Sequence, residues 1–373
     1  MLRRSIVPAT SESYVLTTAD ADRWRQILPA DACVMGSLEY VRIIEQQNGF
    51  SARLFVLETG QSTVVYPFFV RPVEDLPFAA GNDQNLQDTF TPEYTGPLYI
   101  RSGSPGDPEA KKFADTFANY CRSHGIVAEF AHLSPWHDSG GLLDPTCVMV
   151  NREIVHVDLT LGEEDLWTRS LTSDARRQTR QAQKAGVEVR WASSLDDVRA
   201  FHRLHAGTMD RRQAKESYRI PLEYFVAIFE SMPENAFIAL AEYQGHVVAG
   251  GLYFYGGTDV YWHLSAVDLE FSRLRPVNKY VWDTMLWAVG AGKKRMLLGG
   301  GYRPDDGVFR FKAGFSPLRT QFCIYRRVHD EHAYQSLLKA WSAYYGMSPS
   351  QSGFFPAYRS IPDESEQHPA DYK

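Results

Sequence analysis

The residues with the clearest chemical potential lie in segment 299–315, GGGYRPDDGVFRFKAGF. Lys312 follows alternating aromatic and cationic residues and precedes an Ala-Gly pair. In a partly dry cleft, such an ammonium group acts strongly on a negative charge that develops during a reaction. The same pattern also fits an amphipathic segment whose phenylalanines are buried and whose cations lie in water. The sequence leaves both interpretations open.

The residues around Lys312 predict how it is positioned. The apolar run 296–298 indicates a buried strand. The glycines at 299–301 allow a sharp turn and the close approach of another group. Asp306 and Gly307 are typical turn residues. The lysine is therefore expected on a segment that follows the end of a strand.

Further polar side chains lie at predicted strand ends, where such groups can orient an amine or carry protons. These candidate catalytic residues are Tyr255, His263 and Asp306, in addition to Lys312. A hydrogen-bonded position in the core or at its rim is the alternative for each. Substrate-binding candidates come from the long loop 74–108, the polar segment 208–219, the predicted strands and the neighbourhood of the lysine. They are Tyr94, Arg211, Arg212, Tyr218, Tyr253 and Phe311.

Two groups of cations are candidates for binding the phosphates of a donor substrate. The first is a stripe at helical spacing that includes Arg176 and Arg180. The second surrounds a predicted helix start and comprises Arg273, Arg275 and Lys279. A charged helix face is usually only solvated. The stripe also fits a phosphate-rich partner, such as tRNA or an anionic lipid head group.

The composition restricts the class of protein. The chain has 373 residues, of which 44% are hydrophobic and 23% charged, with a net charge of −6. These values are ordinary for a globular protein and argue against general coating of nucleic acid. The four cysteines are scattered without metal-site spacing, so we expect reduced thiols and no metal site. The N-terminus lacks the apolar region of a secretory signal, and no apolar run reaches the length of a membrane span, which predicts a cytoplasmic protein.

The apolar periodicity predicts an α+β protein with two domains, divided near residue 151. A chain of this length exceeds the size at which a single core stops growing. The predicted domains are 1–151 and 152–328. In the second, the predicted order is helices, three strands, a helix, a strand, a loop and a final strand.

That order resembles the GNAT acyltransferase fold, and several segments make the resemblance more specific. They are VDLTLGEEDLWTRSLTSDARRQTRQAQKAGVEV, VVAGGLYFYGGTDVYWHLSA, a PVNKY helix, LLGGG, FRFKAGF and FFPAYR. Together they are similar to the Fem-type (FemAB-like) aminoacyltransferases that build peptidoglycan bridges, and to related GNAT acetyltransferase domains of the BioF2-like type.

The resemblance implies two GNAT-like domains in tandem, each with a mixed, mainly antiparallel sheet flanked by helices. It also implies that the tail 329–373 returns to the first domain, with a strand near residues 354–355. Fem-type enzymes transfer an amino acid from aminoacyl-tRNA to an amine of a peptidoglycan precursor. Lys312 would then stabilise the tetrahedral intermediate beside the tRNA end, with Phe311 packed against it. No cofactor is implied, and peripheral membrane contact is compatible with such an acceptor.

Two alternatives remain open from the sequence. A CoA-dependent N-acyltransferase needs a glycine-containing turn whose backbone N–H groups hold a pyrophosphate at a helix N-terminus. Segment 272–279 has no glycine, and Pro276 removes one donor, which favours aminoacyl-tRNA. A non-catalytic GNAT-like binding module is the second alternative. A cleft position for Lys312 favours an enzyme, whereas a position in open solvent favours a binding module.

Overall fold

The computed structural model describes residues 12–29, 31–59, 62–79, 85–100, 107–137, 139, 141–211, 219–303, 305–349 and 354–362. The chain forms two compact units. Unit 1 contains the residues up to Asn151 and those from Phe322 onwards, and unit 2 is Arg152–Gln321. No helix in the described ranges is both long and apolar enough to cross a membrane.

The strands are β1 (Glu12–Thr17), β2 (Ser51–Glu58), β3 (Thr63–Pro72), β4 (Gln87–Phe90), β5 (Leu98–Tyr99), β6 (Ile126–His132), β7 (Val148–Asp158), β8 (Glu188–Trp191), β9 (Ala236–Tyr243), β10 (His246–Gly256), β11 (Asp259–Val267), β12 (Arg295–Gly299) and β13 (Arg319–Val328). The α-helices are α1 (Ala21–Ile27), α2 (Leu38–Asn48), α3 (Asp107–Ser123), α4 (Gly162–Asp165), α5 (Ser173–Lys184), α6 (Leu195–Arg211), α7 (Leu222–Ser231), α8 (Pro276–Gly290), α9 (Gly307–Ala313) and α10 (Glu331–Tyr345).

Unit 1 is built on a sheet in the order β1-β2-β3-β4-β6-β13, with β5 beside β3. Its strand pairs are antiparallel except β4 with β6. Helix α3 covers this sheet with aromatic residues: Phe117 lies 5.1 Å from Phe55 and 4.9 Å from Tyr66, measured between ring centroids. This apolar contact explains the 3.6-residue periodicity of α3.

Unit 2 is built on a sheet in the order β7-β12-β11-β10-β9-β8. Only the pair of β11 and β12 is parallel. A Cβ at Gly250 would lie 2.8 Å from Phe201 of α6, and one at Gly251 would lie 2.8 Å from Tyr280 of α8. Because neighbouring residues of a strand point to opposite faces, α6 and α8 cover opposite faces of this sheet.

The expected α+β class, with mainly antiparallel sheets flanked by helices, is confirmed. Three local predictions differ from the structure. The loop 74–108 contains β4 and β5, and the loop after β12 contains α9. The strand expected near residues 354–355 is absent from the described part of the tail, where a short 3₁₀ turn, Ala357–Arg359, forms instead.

The C-terminal segment belongs to unit 1, and the boundary lies at 321/322 rather than 328. The segment belongs to unit 1 because β13 pairs with β6 from Ile324 to Val328. Arg359 continues the return by donating to the carbonyl oxygen of Pro72 at 2.7 Å and by pairing with the buried Asp88. The tail is therefore attached by ladder bonds, an ion pair and packing rather than by a second strand.

We predict that Gly251→Ala destabilises the protein by about 1–3 kcal/mol, because the added methyl group meets three rigid rings. Those rings are Tyr253, Trp262 and Tyr280, all within 3.1 Å of the added Cβ. Chemical denaturation of the purified variant measures the change. Gly290→Ala is the matched control, since nothing lies within 4 Å of its Cβ position in α8. The control is expected to be neutral or stabilising by up to about 1 kcal/mol; equal effects would contradict the packing argument.

Candidate active site

Asp306 organises the glycine-rich segment that follows β12. Its carboxylate accepts the backbone N–H groups of Tyr302 at 2.7 Å, Arg303 at 3.1 Å and Phe309 at 2.7 Å. It thereby caps the N-terminus of α9 and closes the turn before it. A Cβ at Gly301 would lie only 2.1 Å from this carboxylate, so the third glycine is required for the close approach.

Asp306 is therefore a turn residue, as the sequence predicts, and it also caps a helix that the sequence analysis did not predict. Burial raises the pKa of its carboxyl group, but the backbone N–H groups outweigh burial and lower the pKa overall. A carboxylate with these partners stays ionised and is a poor proton carrier near neutral pH.

Helix α9 carries Lys312 back towards the end of β12. The Lys312 Nζ donates a hydrogen bond to the carbonyl oxygen of Gly300 at 2.8 Å and lies 5.6 Å from the ring centroid of Trp262. The lysine is half-buried. Phe311 also packs near Trp262, with ring centroids 6.4 Å apart. The ammonium group is thus held against an aromatic face and a carbonyl group rather than in open solvent.

The position of Lys312 coincides with a divergence between two strands. β11 and β12 pair over residues 259–261 and 295–297. β11 then continues to Val267 beside β10, whereas β12 ends at Gly299 beside β7. Trp262 directly follows the last paired residue of β11. We call the gap that opens here, next to Trp262, Gly300 and Lys312, the β11–β12 gap.

A pair of hydroxyl groups lies on the same face of β11 as Trp262. The Ser265 Oγ and the Tyr280 hydroxyl are 2.6 Å apart, and Ser265 is exposed. Burial raises the pKa of the Tyr280 hydroxyl, so this group stays protonated. Gly251 lies opposite this pair, and the absence of a side chain there leaves space for Tyr280. Sequence reasoning missed Trp262, Ser265 and Tyr280; the only signal was their position in YWHLS and the PVNKY helix.

Three predicted site residues pack against groups other than Lys312. His263 occupies a bulge of β11 and faces α7, where its Nε2 is 3.2 Å from the Tyr224 hydroxyl. Tyr253 is fully buried against Phe237 and Trp262, and burial raises the pKa of its hydroxyl well above the usual value.

Tyr255 packs against Trp287 and carries Lys293 over its ring, at the end of β10 where β11 begins. Burial, with a smaller effect of Glu234, raises the pKa of its hydroxyl. Tyr255 and His263 therefore contact other groups, whereas Asp306 caps the helix that carries Lys312.

The predicted phosphate-binding cations have different surroundings. Arg176 donates to three carbonyl groups at the start of α5, the shortest at 2.6 Å to Leu171, so it supports the local turn. Lys279 pairs with Asp283 one helical turn further along.

The remaining cations of this set are exposed: Arg180, Arg273 and Arg275. Gln181 of α5 donates to the Arg273 carbonyl oxygen at 2.7 Å, so the stripe and the turn before α8 are adjacent. We call Arg180, Arg273 and Arg275 the α5 basic surface.

The other substrate-binding candidates do not contact the β11–β12 gap in the described structure. Arg211 binds the Val267 carbonyl oxygen at 2.8 Å and so joins the ends of α6 and β11. Arg212 and Tyr218 lie outside the described residues. Tyr94 belongs to unit 1, where it lines a cavity with Cys33, Pro67 and His137.

The described residues also contain one group that can hold a metal ion, although no metal site was expected. Cys121, Glu129 and His329 of unit 1 each offer a ligand atom, and these atoms lie within 4.8 Å of one another. Cys121 and Glu129 lie close together in the sequence, but His329 is 200 positions from Glu129, so no spacing rule identifies the group.

Comparison with known proteins agrees with the fold. Residues 169–313 match the family profile described as an acetyltransferase (GNAT) domain. The crystal structure of FemX superposes with a TM-score of 0.67 at 13% identity, covering 87% of this chain and 99% of that chain. No curated protein matches the sequence.

Two further solved structures share the fold. One is the C-terminal domain of a putative lysylphosphatidylglycerol synthetase from Agrobacterium fabrum, with a TM-score of 0.52, 14% identity and coverage of 83% of this chain and 91% of that chain. The other is a protein of unknown function from Bacteroides thetaiotaomicron, with a TM-score of 0.54, 12% identity and coverage of 84% and 98%. The predicted resemblance to Fem-type proteins of the GNAT fold is confirmed at the level of the fold.

We predict that Asp306→Asn retains most activity, because asparagine caps a helix about as well as aspartate. Asp306→Ala removes the cap and is expected to cost about 1 kcal/mol of stability. The wild-type carboxylate has a lowered pKa, so its contribution to stability is present above the unfolded-state pKa of about 4 and is lost as the pH falls through the folded-state value. Denaturation curves at several pH values test this, and Asp306→Asn should lack that acid dependence.

The control is Asp305→Asn, because Asp305 makes only an exposed ion pair with Arg310 at 3.7 Å. It should change stability by less than about 1 kcal/mol. A large loss of activity in well-folded Asp306→Asn would restore a role in proton transfer.

Proposed function

We propose that this chain, which has the Fem-type GNAT fold, is an N-acyltransferase. It joins an activated acyl group, preferably from aminoacyl-tRNA, to an amine acceptor. The observation that carries the proposal is the position of Lys312. Its ammonium group is half-buried beside Trp262 and the Gly300 carbonyl, at the divergence of β11 and β12. A positioned cation of this kind stabilises charge that appears only as the acyl group is attacked.

The proposed reaction needs positioning more than a covalent intermediate. A neutral amine attacks the ester carbonyl of the donor, the new C–N bond forms, and the C–O bond to the tRNA breaks. The proton lost by the amine ends on the released ribose hydroxyl of the tRNA, directly or through water. Lys312 stabilises the negative charge on the carbonyl oxygen. The Ser265–Tyr280 pair stays protonated and can donate hydrogen bonds that orient the acceptor or donor. Holding the reactants in this geometry supplies much of the rate, because an aminoacyl ester is already activated.

The surroundings of α8 favour tRNA over CoA as the donor. The helix begins with Pro276, which lacks a backbone N–H, and Arg275 before it has a left-handed backbone with φ of 59°. Segment 272–279 therefore offers fewer N–H groups to a pyrophosphate than a glycine-containing turn does. The α5 basic surface instead presents exposed guanidinium groups, which suit the phosphates of an acceptor stem.

CoA-dependent N-acyl transfer is the second candidate, and the match of residues 169–313 to an acetyltransferase domain favours it. The reaction at the carbonyl would be similar, with a thioester as donor. A non-catalytic binding module is less well supported, because Lys312 lies against Trp262 rather than in open solvent.

The proposed acceptor is the amine of a cell-wall precursor, as the Fem-type resemblance implies. The name of the Agrobacterium neighbour indicates a lipid-linked product, lysylphosphatidylglycerol. An acceptor that is carried on a lipid would require contact with the membrane surface, which exposed cations can support. We also propose a cytoplasmic location, because the preferred donor, charged tRNA, is found there.

We predict that Lys312→Ala lowers the rate of transfer by about 10²–10³-fold with little change in stability. Charged tRNA and acyl-CoA pools are supplied in parallel with a set of amine acceptors, and the product is detected by mass spectrometry. Lys312→Arg, which keeps the charge, should recover part of the activity. Product from acyl-CoA alone would replace the preferred donor with the second candidate.

Lys293→Ala is the matched control. The Lys293 Nζ also donates to a glycine carbonyl oxygen, that of Gly257 at 2.9 Å, and also lies over an aromatic ring, 5.0 Å from the centroid of Tyr255. It differs from Lys312 in its place, since it lies at the paired end of β11 and β12. Equal activity of the two alanine variants would contradict the proposed role of Lys312.

We predict that the double variant Arg180→Ala/Arg273→Ala binds tRNA more weakly and with a smaller salt dependence. Each lost phosphate contact on a single-stranded end should reduce the slope of log K against log salt by about 0.7. Binding at several salt concentrations measures the slope. Arg199→Ala is the control, because Arg199 is half-exposed on α6 and pairs with Asp196 away from this surface. An unchanged slope in the double variant would exclude the α5 basic surface from tRNA binding.

A further inference from the structure

We propose that Cys121, Glu129 and His329 of unit 1 form a buried site for a zinc ion. Their ligand atoms lie within 4.8 Å of one another. Cys121 lies near the end of α3, Glu129 in the middle of β6, and His329 directly after β13. The site therefore joins two consecutive elements, α3 and β6, to a segment that is distant in sequence, all within unit 1.

The chemistry of the three donors suits zinc. A thiolate sulfur, an imidazole nitrogen and a carboxylate oxygen are the ligand types of protein zinc sites. Zn²⁺ with one thiolate, one carboxylate and one neutral imidazole has no net charge, so such a site can be buried without an uncompensated charge. Calcium or magnesium would instead require a set of oxygen ligands.

All three side chains are shielded from water. Cys121 and Glu129 are 0% and 2% exposed, and the side chain of His329 is 1% exposed. The rings of Phe117 and Tyr66 pack around them, and the centroid of Phe117 lies 6.5 Å from that of His329. This burial argues against a cysteine nucleophile, which needs access to a substrate, but it is compatible with an enclosed ion.

Hydrogen bonds orient two of the three ligand side chains, Glu129 and His329, but use only part of their hydrogen-bonding capacity. The Tyr66 hydroxyl donates to Oε1 of Glu129 at 2.8 Å, and Oε2 lies 2.8 Å from Nε2 of His329. The buried Nδ1 of His329 has no hydrogen-bond partner in the described structure. Metal-bound ligands commonly have such outer partners, here the Tyr66 hydroxyl.

Modest movements would complete the coordination. Zinc bonds of about 2.0–2.3 Å at tetrahedral angles place donor atoms roughly 3.3–3.8 Å apart. The sulfur would move inwards and the Glu129–His329 contact would widen by several tenths of an ångström. Three protein ligands leave a fourth position, which a water molecule can fill.

The position of His329 links the ion to the folding of unit 1. The backbone N–H of His329 donates to the Val127 carbonyl oxygen at 2.8 Å, which places it beside β6 only after the chain has returned from unit 2. Zinc would therefore connect the returning segment to α3 and β6. A site that is assembled only in the folded chain makes the metal a stabilising ligand.

The test uses the full-length chain, stripped with a chelator and titrated with Zn²⁺ and, separately, with Co²⁺. We expect about one zinc ion per wild-type chain, a higher melting temperature with zinc, and a near-ultraviolet charge-transfer band with Co²⁺ that reports thiolate ligation. Cys121→Ser should lose the band and weaken metal binding at least about 100-fold. Glu129→Gln should weaken binding while it leaves the thiolate band in saturating Co²⁺.

Cys33→Ser is the matched control, because Cys33 is also buried in unit 1 but lies outside the cluster. It should bind zinc and Co²⁺ like the wild type. Folded wild-type protein that shows no charge-transfer band, or that binds no more zinc than Cys121→Ser, would overturn the proposal. If Cys121→Ser does not fold, the Co²⁺ spectrum of the wild type still tests the proposal. A wild-type protein without the site would show no thiolate band.

Discussion

The carboxylate of Asp306 is the interaction on which the candidate active site depends. It binds three backbone N–H groups across the turn between β12 and α9, and it can do so only because Gly301 has no side chain. The chain just after α9 is also held, because the Thr172 N–H donates a hydrogen bond to the carbonyl oxygen of Gly314 at 2.9 Å. A seven-residue helix is too short to be stable alone, so these bonds, together with packing, hold it in place. Lys312 is positioned as a result.

The sheet of unit 2 supplies the other half of the site. Gly250 and Gly251 let α6 and α8 approach opposite faces of β10 closely. The bulge at His263 changes the alternation of β11, so that Trp262 and Ser265, three positions apart, both face Tyr280 of α8. One irregular residue therefore brings the hydroxyl pair to the face on which Trp262 lies.

Elements that are defined by short-range signals could be predicted from the sequence. Helix α2 (Leu38–Asn48) has Ser37 as its N-cap and Gly49 as its C-cap, both of which are short-range signals in the sequence. The strands β4 and β5 were missed because they are defined by pairing with β3 and β6, not by their own composition. Helix α9 was missed because its cap depends on a carboxylate that reaches back to Gly301.

The same distinction applies to the candidate sites. The sequence predicted that Lys312 is held near aromatic residues, but its ring partner, Trp262, is fifty positions away and is reached only through the sheet. Tyr253 and Tyr255 were predicted as site residues from their polarity, whereas packing buries the first and places the second against Trp287 and Pro233. Cys121, Glu129 and His329 meet only through the return of the C-terminal segment, which no local spacing shows.

Lys312 and Lys293 show why local contacts do not by themselves define a catalytic group. Each is half-buried, donates to a glycine carbonyl and lies over an aromatic ring. At Lys293 the two strands are joined by ladder bonds, and Arg295 and Asp259 form a two-bond ion pair across them, with both distances 2.7 Å. At Lys312 the strands have separated, and the proposed function places the carbonyl group of the donor in this gap. The divergence of the strands, rather than the lysine alone, gives this position its chemical potential.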